Sequence, residues 1–154
     1  MYWFWDVYIE PHRLWHHFRG LDRFLSDVDL ASYQPFSPLE IMGPSGAPAK
    51  AYGLGLRGAD ILVWLRSEAY TVQASVAAYE DAGSPSSFSY QPPLLVDRVL
   101  SIRGVDDGAF TVHWYDPQIG RWLDPAEAAA QAGSLSILVP AFRRDLAAKI
   151  EPHP

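Results

Sequence analysis

Apolar and polar residues alternate in short runs over the last two thirds of the chain, and turn signals separate the runs. Ala51–Leu56 and Ile61–Arg66 flank the turn residues 57–60, and Phe110–Tyr115 follows the tight turn 106–108. The pattern predicts further strands at 70–79, 94–102, 121–123, 135–139 and 146–150, and a short Ala-rich segment at 125–131. Short strands at this spacing predict a mainly β fold, an antiparallel β-sandwich over residues 51–150.

The β pattern between the turn signals also predicts which residues are largely buried in this sandwich. The predicted core residues are Trp64, Leu65, Leu100, Phe110, Val112, Trp114 and Leu138.

The first 30 residues have a different pattern. Residues 2–5 are apolar on both faces, as in a strand that is covered on both sides. Pro11 then opens a segment with apolar residues at helical spacing, which predicts a helix over 11–28. A strand followed by a helix is half of a βαβ unit.

Residues 31–50 are rich in Pro and Gly, and this change of composition predicts a linker between two units. The predicted organisation is therefore a strand–helix unit over 1–30, the linker, the sandwich over 51–150 and a tail over 151–154. The chain contains 13 Pro and 11 Gly, which favours many short elements over a helical bundle.

Charge and composition exclude several classes of protein. Aromatic residues make up 14% of the chain, too many for a disordered protein. The net charge is −6 without a basic block, so nucleic acid is not an expected partner. No apolar run is long enough to span a membrane, and a membrane partner is not expected either. No signal peptide is evident in this chain, and the absence of Cys leaves the compartment undetermined.

Three short motifs do not predict a cofactor, a metal or a nucleophile. Gly53–Gly58 matches G-x-G-x-x-G, but a strand rather than a helix follows, so a hairpin is expected. His12 and His16 are four residues apart on the predicted helix but lack the Glu of a zinc-binding H-E-x-x-H motif. Residues 43–47 contain a serine within a Pro-rich linker, not between a strand and a helix.

Several segments, in this order, resemble the C-terminal part of a glycoside hydrolase. Residues 1–18, MYWFWDVYIEPHRLWHHF, are similar to the last barrel strand and helix of family 5-like enzymes of clan A. Residues 51–54, 61–66, 108–120 and 138–150 resemble the β-sandwich that follows such barrels. The resemblance implies that residues 1–9 are strand eight and residues 11–28 helix eight of a (β/α)₈ barrel.

The resemblance also implies which residues contact sugar. The aromatic platform at the end of strand eight corresponds best to Trp5, with Trp3 second, and Asp6 lines the same rim. The catalytic glutamates of the family lie on strands four and seven, which are absent from this chain. The expected function is therefore a non-catalytic accessory region that supports a barrel and contacts glycan, and no catalytic residue is predicted.

A second hypothesis is a self-standing binding or assembly protein built on the same sandwich, and a third is a matrix-binding module. The aromatic arm, defined as Tyr2, Trp3, Phe4, Trp5 and Tyr8, then forms an interface. Contiguous apolar surface of this kind marks association sites, so a homo-oligomer or a complex with a barrel chain is expected.

Overall fold

The computed structural model describes residues 6, 9–11, 18–36, 38–44, 48–56 and 60–153. This part of the chain is mainly antiparallel β, with helices α1 (Arg19–Leu25) and α2 (Val72–Asp81). The strands are β1 (Gln34–Pro35), β2 (Leu39–Met42), β3 (Ala49–Gly55), β4 (Ile61–Ser67), β5 (Arg98–Arg103), β6 (Gly108–Asp116), β7 (Arg121–Trp122), β8 (Ala126–Gln131), β9 (Ser134–Val139) and β10 (Asp145–Pro152). Among the described residues, no helix combines the length and apolarity needed to cross a membrane.

The ten strands form one curled sheet rather than the two sheets of the predicted sandwich, which is not confirmed. Their order is β1-β3-β4-β10-β6-β8-β9-β5-β2, and β7 pairs with β6. Near the ends of this order β2 lies against β3, where Leu39 meets the Cα of Gly53 so closely that a Cβ there would clash. The curl therefore brings the two halves of a continuous sheet face to face and encloses an interior between them.

The interior is filled by every second residue of the paired strands. On β10, Ala148 stands opposite Val63 of β4 on one side and Trp114 of β6 on the other, and all three are buried. In the other half of the sheet, the same alternation along β5 and β9 places Leu100 and Leu135 in the interior. Strand register thus decides which side chains form the main core.

Helix α1 covers the outer face of the sheet at β4, β10 and β6. Phe24 is its anchor: the ring is buried, 5.7 Å from the ring of Tyr115 and 6.0 Å from that of Trp64. Leu62 and Ala147 complete this second apolar cluster. Both faces of β10 are consequently buried, which makes this strand the centre of the molecule.

Five of the seven predicted core residues are confirmed and two are not. Leu65, Leu100, Phe110, Val112 and Trp114 are buried. Leu138 is 71% exposed, because it stands opposite Val99 on the outer face, between the inward-facing Ile137 and Val139. Trp64 is half-buried on the outer face beneath α1 rather than in the interior.

The strand predicted at 70–79 is wrong, because this segment forms α2. Thr71 is the N-cap residue: its backbone is extended, and its hydroxyl oxygen accepts a hydrogen bond from the Ala74 N–H at 3.1 Å. Conversely, the Ala-rich segment near 126–131 is strand β8, held by pairing with β6.

The predicted linker contains strands, and the predicted barrel strand is not confirmed. Strands β1 and β2 lie within residues 31–50, and β2 pairs with β5 along Leu39–Met42. Asp6 and Ile9 are the described residues of the expected first strand, and both have π-helical rather than extended backbone. Of the helix predicted over 11–28, the structure describes α1, while residues 12–17 lie outside the described part.

Candidate functional site

The described structure includes one of the three residues predicted to contact sugar. Trp3 and Trp5 lie outside the described residues, as do Tyr2, Phe4 and Tyr8 of the aromatic arm. Asp6 is described and exposed, but it does not line the groove between α1, β4 and β10 that carries Trp64, Arg144 and Asp145.

That groove, called the polar groove below, has a volume of about 680 Å³ and opens on the outer face of the sheet. It lies between the start of α1, the β4–α2 connection, the β6–β7 turn and the start of β10. Its lining residues are Phe18, Gly20, Leu21, Trp64, Tyr70, Pro117, Gln118, Arg144 and Asp145. Its volume falls within the range of about 300–1,000 Å³ typical of small-molecule sites.

Asp145 and Trp64 form the wall contributed by the sheet. Asp145 stands opposite Arg66 in the β4–β10 ladder, and Trp64 is its diagonal neighbour on the same face. The indole Nε1–H of Trp64 donates to Oδ1 of Asp145 at 3.2 Å. Burial nevertheless raises the pKa of the Asp145 carboxyl, although the bond to Trp64 and the charges of Arg66 and Arg144 act in the other direction.

Arg144, which directly precedes Asp145, is held in a fixed plane. Its guanidinium carbon lies 4.7 Å from the centre of the Tyr70 ring, and its Nη2 donates to the carbonyl oxygen of Tyr90 at 2.8 Å. The Tyr70 and Tyr90 rings are themselves stacked, with centroids 6.4 Å apart and planes 8° from parallel. Stacking and a charge-assisted hydrogen bond both restrict the guanidinium, so its position is prearranged.

Another wall depends on a close approach of α1 to the β6–β7 turn. Gly20 is buried, and a Cβ at this position would lie 2.6 Å from the carbonyl oxygen of Pro117. The turn itself is shaped by Asp116, whose Oδ1 accepts from the backbone N–H of Gln118 at 2.8 Å. Gly20 therefore allows the helix to approach the backbone of the turn that carries Gln118.

A second cavity, of about 580 Å³, lies on the other side of α1 and is almost entirely apolar. Leu25, Leu54 and Phe36 are among its lining residues, and it shares Leu21 and Trp64 with the polar groove. It offers few hydrogen-bonding groups and therefore no basis for selecting a polar ligand.

The polar groove has the chemistry of a binding site rather than of a hydrolytic site. Asp145 is the one carboxylate among its described lining residues, whereas glycoside hydrolysis uses two carboxyl groups across one bond. The described part of the chain also has no group of three or more His, Cys, Asp or Glu side chains placed to hold a metal ion.

Sequence reasoning did not single out this groove. Trp64 was predicted in the core, and Arg144 and Asp145 fall within the segment 138–150, which carries the family resemblance but was assigned no site residue. Tyr70 and Gln118 were missed. A signal was present in the charged triplet Arg143–Asp145, which stands where the apolar strand β10 begins. Charged side chains at the end of a strand lie at the edge of the sheet, where a binding groove can form.

The remaining tryptophans of the sheet differ in their availability. Trp114 is buried in the main core. Trp122 is 41% exposed and packs against Tyr115, with ring centroids 4.9 Å apart, but it does not line the polar groove.

Comparison with known proteins does not assign a family. No protein-family model matches the chain, and no curated protein matches it. Among solved structures, the chain is similar to alpha-L-fucosidase isoenzyme 2 from Paenibacillus thiaminolyticus, with 13% identity and a TM-score of 0.45. The alignment covers 87% of this chain and 17% of that one, so the chain spans about a sixth of the length of this neighbour.

Proposed function

We propose that this chain is a non-catalytic accessory region of a glycoside hydrolase that contacts glycan through the polar groove. The observation that carries the proposal is the composition of the groove, in which the half-buried indole of Trp64 is hydrogen-bonded to the carboxylate of Asp145 and Arg144 lines the same space. Sugars combine apolar C–H faces with hydroxyl groups, so an aromatic surface beside fixed polar groups is complementary to them.

Support for the hydrolase context comes from the sequence. Residues 1–18 and the β segments resemble the end of a family 5-like barrel and its following β domain. In that context the region packs beside a catalytic barrel. The groove supplies binding, and the two catalytic carboxylates come from the barrel.

The experiment is a titration of the ¹⁵N-labelled chain with a panel of neutral oligosaccharides, followed through the indole N–H signals. Trp64→Phe assigns the Trp64 signal. We expect that signal to shift saturably with at least one glycan, while the signal of the buried Trp114 stays in place and serves as an internal control. If no glycan moves the Trp64 signal, or only Trp114 and Trp122 respond, the proposal is wrong.

The non-catalytic part is tested on the same panel by chromatography of the sugars after prolonged incubation. We expect the oligosaccharides to remain intact. Hydrolysis that disappears when a single Glu of this chain is replaced would contradict the proposal.

A further inference from the structure

The polar groove contains two consecutive charged residues that face the same space. Arg144 directly precedes β10 and Asp145 is its first residue; the carbonyl oxygen of Arg144 accepts from the Ser67 N–H at 2.7 Å, which anchors the backbone there. Inside a strand, consecutive side chains point to opposite faces. Because Arg144 lies just outside the strand, both side chains line the groove.

The two residues keep unused hydrogen-bonding capacity on complementary atoms. Oδ1 of Asp145 accepts from Trp64, and no described residue donates to its Oδ2. Nη2 of Arg144 donates to Tyr90, and no described residue accepts from its other terminal nitrogen, Nη1. The groove therefore offers one anionic acceptor beside a guanidinium with donors to spare.

We propose that the polar groove binds a neutral pyranoside by two adjacent ring hydroxyl groups, one donating to Asp145 and the other accepting from Arg144. This inference rests on the proposed function and specifies the ligand of the same site. Adjacent hydroxyl groups fit because each can both donate and accept a hydrogen bond. One hydroxyl can therefore donate to the carboxylate of Asp145 while its neighbour accepts from the guanidinium of Arg144.

Charge favours a neutral sugar over a charged one. The acid group of a uronic acid or the ammonium of an amino sugar meets one attraction and one repulsion from Asp145 and Arg144, so its charge gains little there, and it adds the cost of its own desolvation. A neutral diol satisfies both side chains and leaves no net charge to desolvate. The apolar side chains of Phe18 and Leu21 and the ring of Trp64 complete the lining against which the C–H face of the sugar packs.

The ligand half of the test uses the unmodified protein, so it does not depend on any variant folding. Methyl glucoside, galactoside, mannoside and xyloside are titrated while the Trp64 indole signal is followed. The best of them is then compared with its monodeoxy derivatives and with the methyl glucuronide. Removing either of two neighbouring hydroxyl groups should weaken binding about tenfold, and removing the others should have little effect.

The protein half uses two groove variants and two matched controls. Asp145→Asn keeps an oxygen for the Trp64 indole but places an NH₂ group where Oδ2 was, and Arg144→Gln removes the guanidinium. Each should weaken the parent glycoside about tenfold. Asp81→Asn, exposed at the end of α2, and Arg143→Gln, outside the groove, should bind as the unmodified chain does.

The decisive result is a loss of discrimination. Asp145→Asn should bind one of the two deoxy sugars and the parent glycoside equally, because the hydroxyl group that donated to Asp145 no longer has its acceptor. Equal binding of all deoxy sugars by the unmodified chain, preference for the glucuronide, or unchanged affinity in both groove variants would overturn this inference while glycan binding stands. If no pyranoside or oligosaccharide moves the Trp64 signal, the inference and the proposed function both fail.

Discussion

Lys149 on the central strand is paired with Asp27, two residues beyond the end of α1. The lysine side chain is 9% exposed and the aspartate 73% exposed, and the ammonium lies 5.8 Å from the ring centre of Phe24 and 5.5 Å from that of Trp122. A cation is thus held in an apolar cluster with a water-accessible counter-ion, and this pair ties α1 to the sheet.

This pair predicts an asymmetry between two substitutions. Asp27→Asn leaves a nearly buried ammonium without its counter-ion and should lower the free energy of unfolding by about 1–2 kcal/mol. Lys149→Met leaves Asp27 in water and places an apolar chain between Phe24 and Trp122, so it should change stability less. Urea denaturation of the three proteins at pH 7 measures both effects, and a larger loss in Lys149→Met would contradict this account.

The Asp27–Lys149 pair also predicts a pH dependence. The hydrogen bond from Lys149 is the main cause that lowers the pKa of Asp27. A carboxylate with a lowered pKa contributes stability above its unfolded-state pKa and loses it as the pH falls through the folded-state value. The advantage of the unmodified chain over Asp27→Asn should therefore shrink between about pH 4 and more acidic conditions, and an advantage that stays constant there would contradict it.

Asp145 predicts a pH dependence of the opposite sign, because burial raises its pKa. As the pH rises above the unfolded-state pKa, the folded protein must ionise a partly buried carboxyl, and stability is lost up to the folded-state pKa. Asp145→Asn, which keeps an acceptor for Trp64, should gain stability relative to the unmodified chain between about pH 4 and pH 7. Denaturant midpoints at these two pH values check the direction, with Asp81→Asn as the control.

Gly20 predicts a steric cost that reverses helix propensity. Alanine is favoured over glycine in a helix by about 1 kcal/mol. The new Cβ, however, would lie 2.6 Å from the Pro117 carbonyl oxygen, and such overpacking costs about 1–3 kcal/mol. Gly20→Ala should therefore lower the midpoint of thermal unfolding and weaken the binding of any ligand in the polar groove. Arg19→Ala, at an exposed position of the same helix, should do neither.

Strand β9 predicts opposite outcomes at two leucines three residues apart. Leu135 is fully buried, and Leu135→Ala should cost about 2–5 kcal/mol. Leu138 is 71% exposed, and Leu138→Thr should stay within about 0.5 kcal/mol of the unmodified chain. Chemical denaturation distinguishes the two, and a large loss at Leu138 would mean that its face is covered.

Association through the aromatic arm stays a prediction. Three such rings burying about 150 Å² each at about 25 cal/mol per Å² gain on the order of 10 kcal/mol, against several kcal/mol of association entropy. Light scattering should show oligomers for the intact chain, and monomers for a chain without residues 1–9 and for the Trp3→Ser, Trp5→Ser double variant. A monomeric intact chain with both tryptophans quenched would mean that the arm packs internally, against residues such as Leu14, Phe18 and Leu21.

Local sequence signals were sufficient where pattern and pairing agree. The two runs predicted on either side of residues 57–60 pair with each other as the antiparallel strands β3 and β4, although residues 57–59 themselves lie outside the described part. Phe110–Tyr115 falls within β6, since β-branched and aromatic residues there suit a strand with a buried face. Helix α2 was also encoded locally, by Thr71 as a cap and a run of small residues, but its loose alternation imitated a strand.

Tertiary structure decided what local signals left open. The Ala-rich segment of β8 has helical propensity. It nevertheless forms a strand, because its backbone pairs with that of β6 in an antiparallel ladder. Leu138 and Trp64 face outward because register with Val99 and Ala147 assigns each strand its faces, and a shift of one residue reverses that assignment. The polar groove joins positions 18–21, 64, 70, 117–118 and 144–145, which become neighbours only when β10 inserts between β4 and β6. Sequence alone determined a β-rich chain with an aromatic arm; long-range strand pairing, which depends on contacts between segments far apart in the chain, determined the curled sheet and its groove.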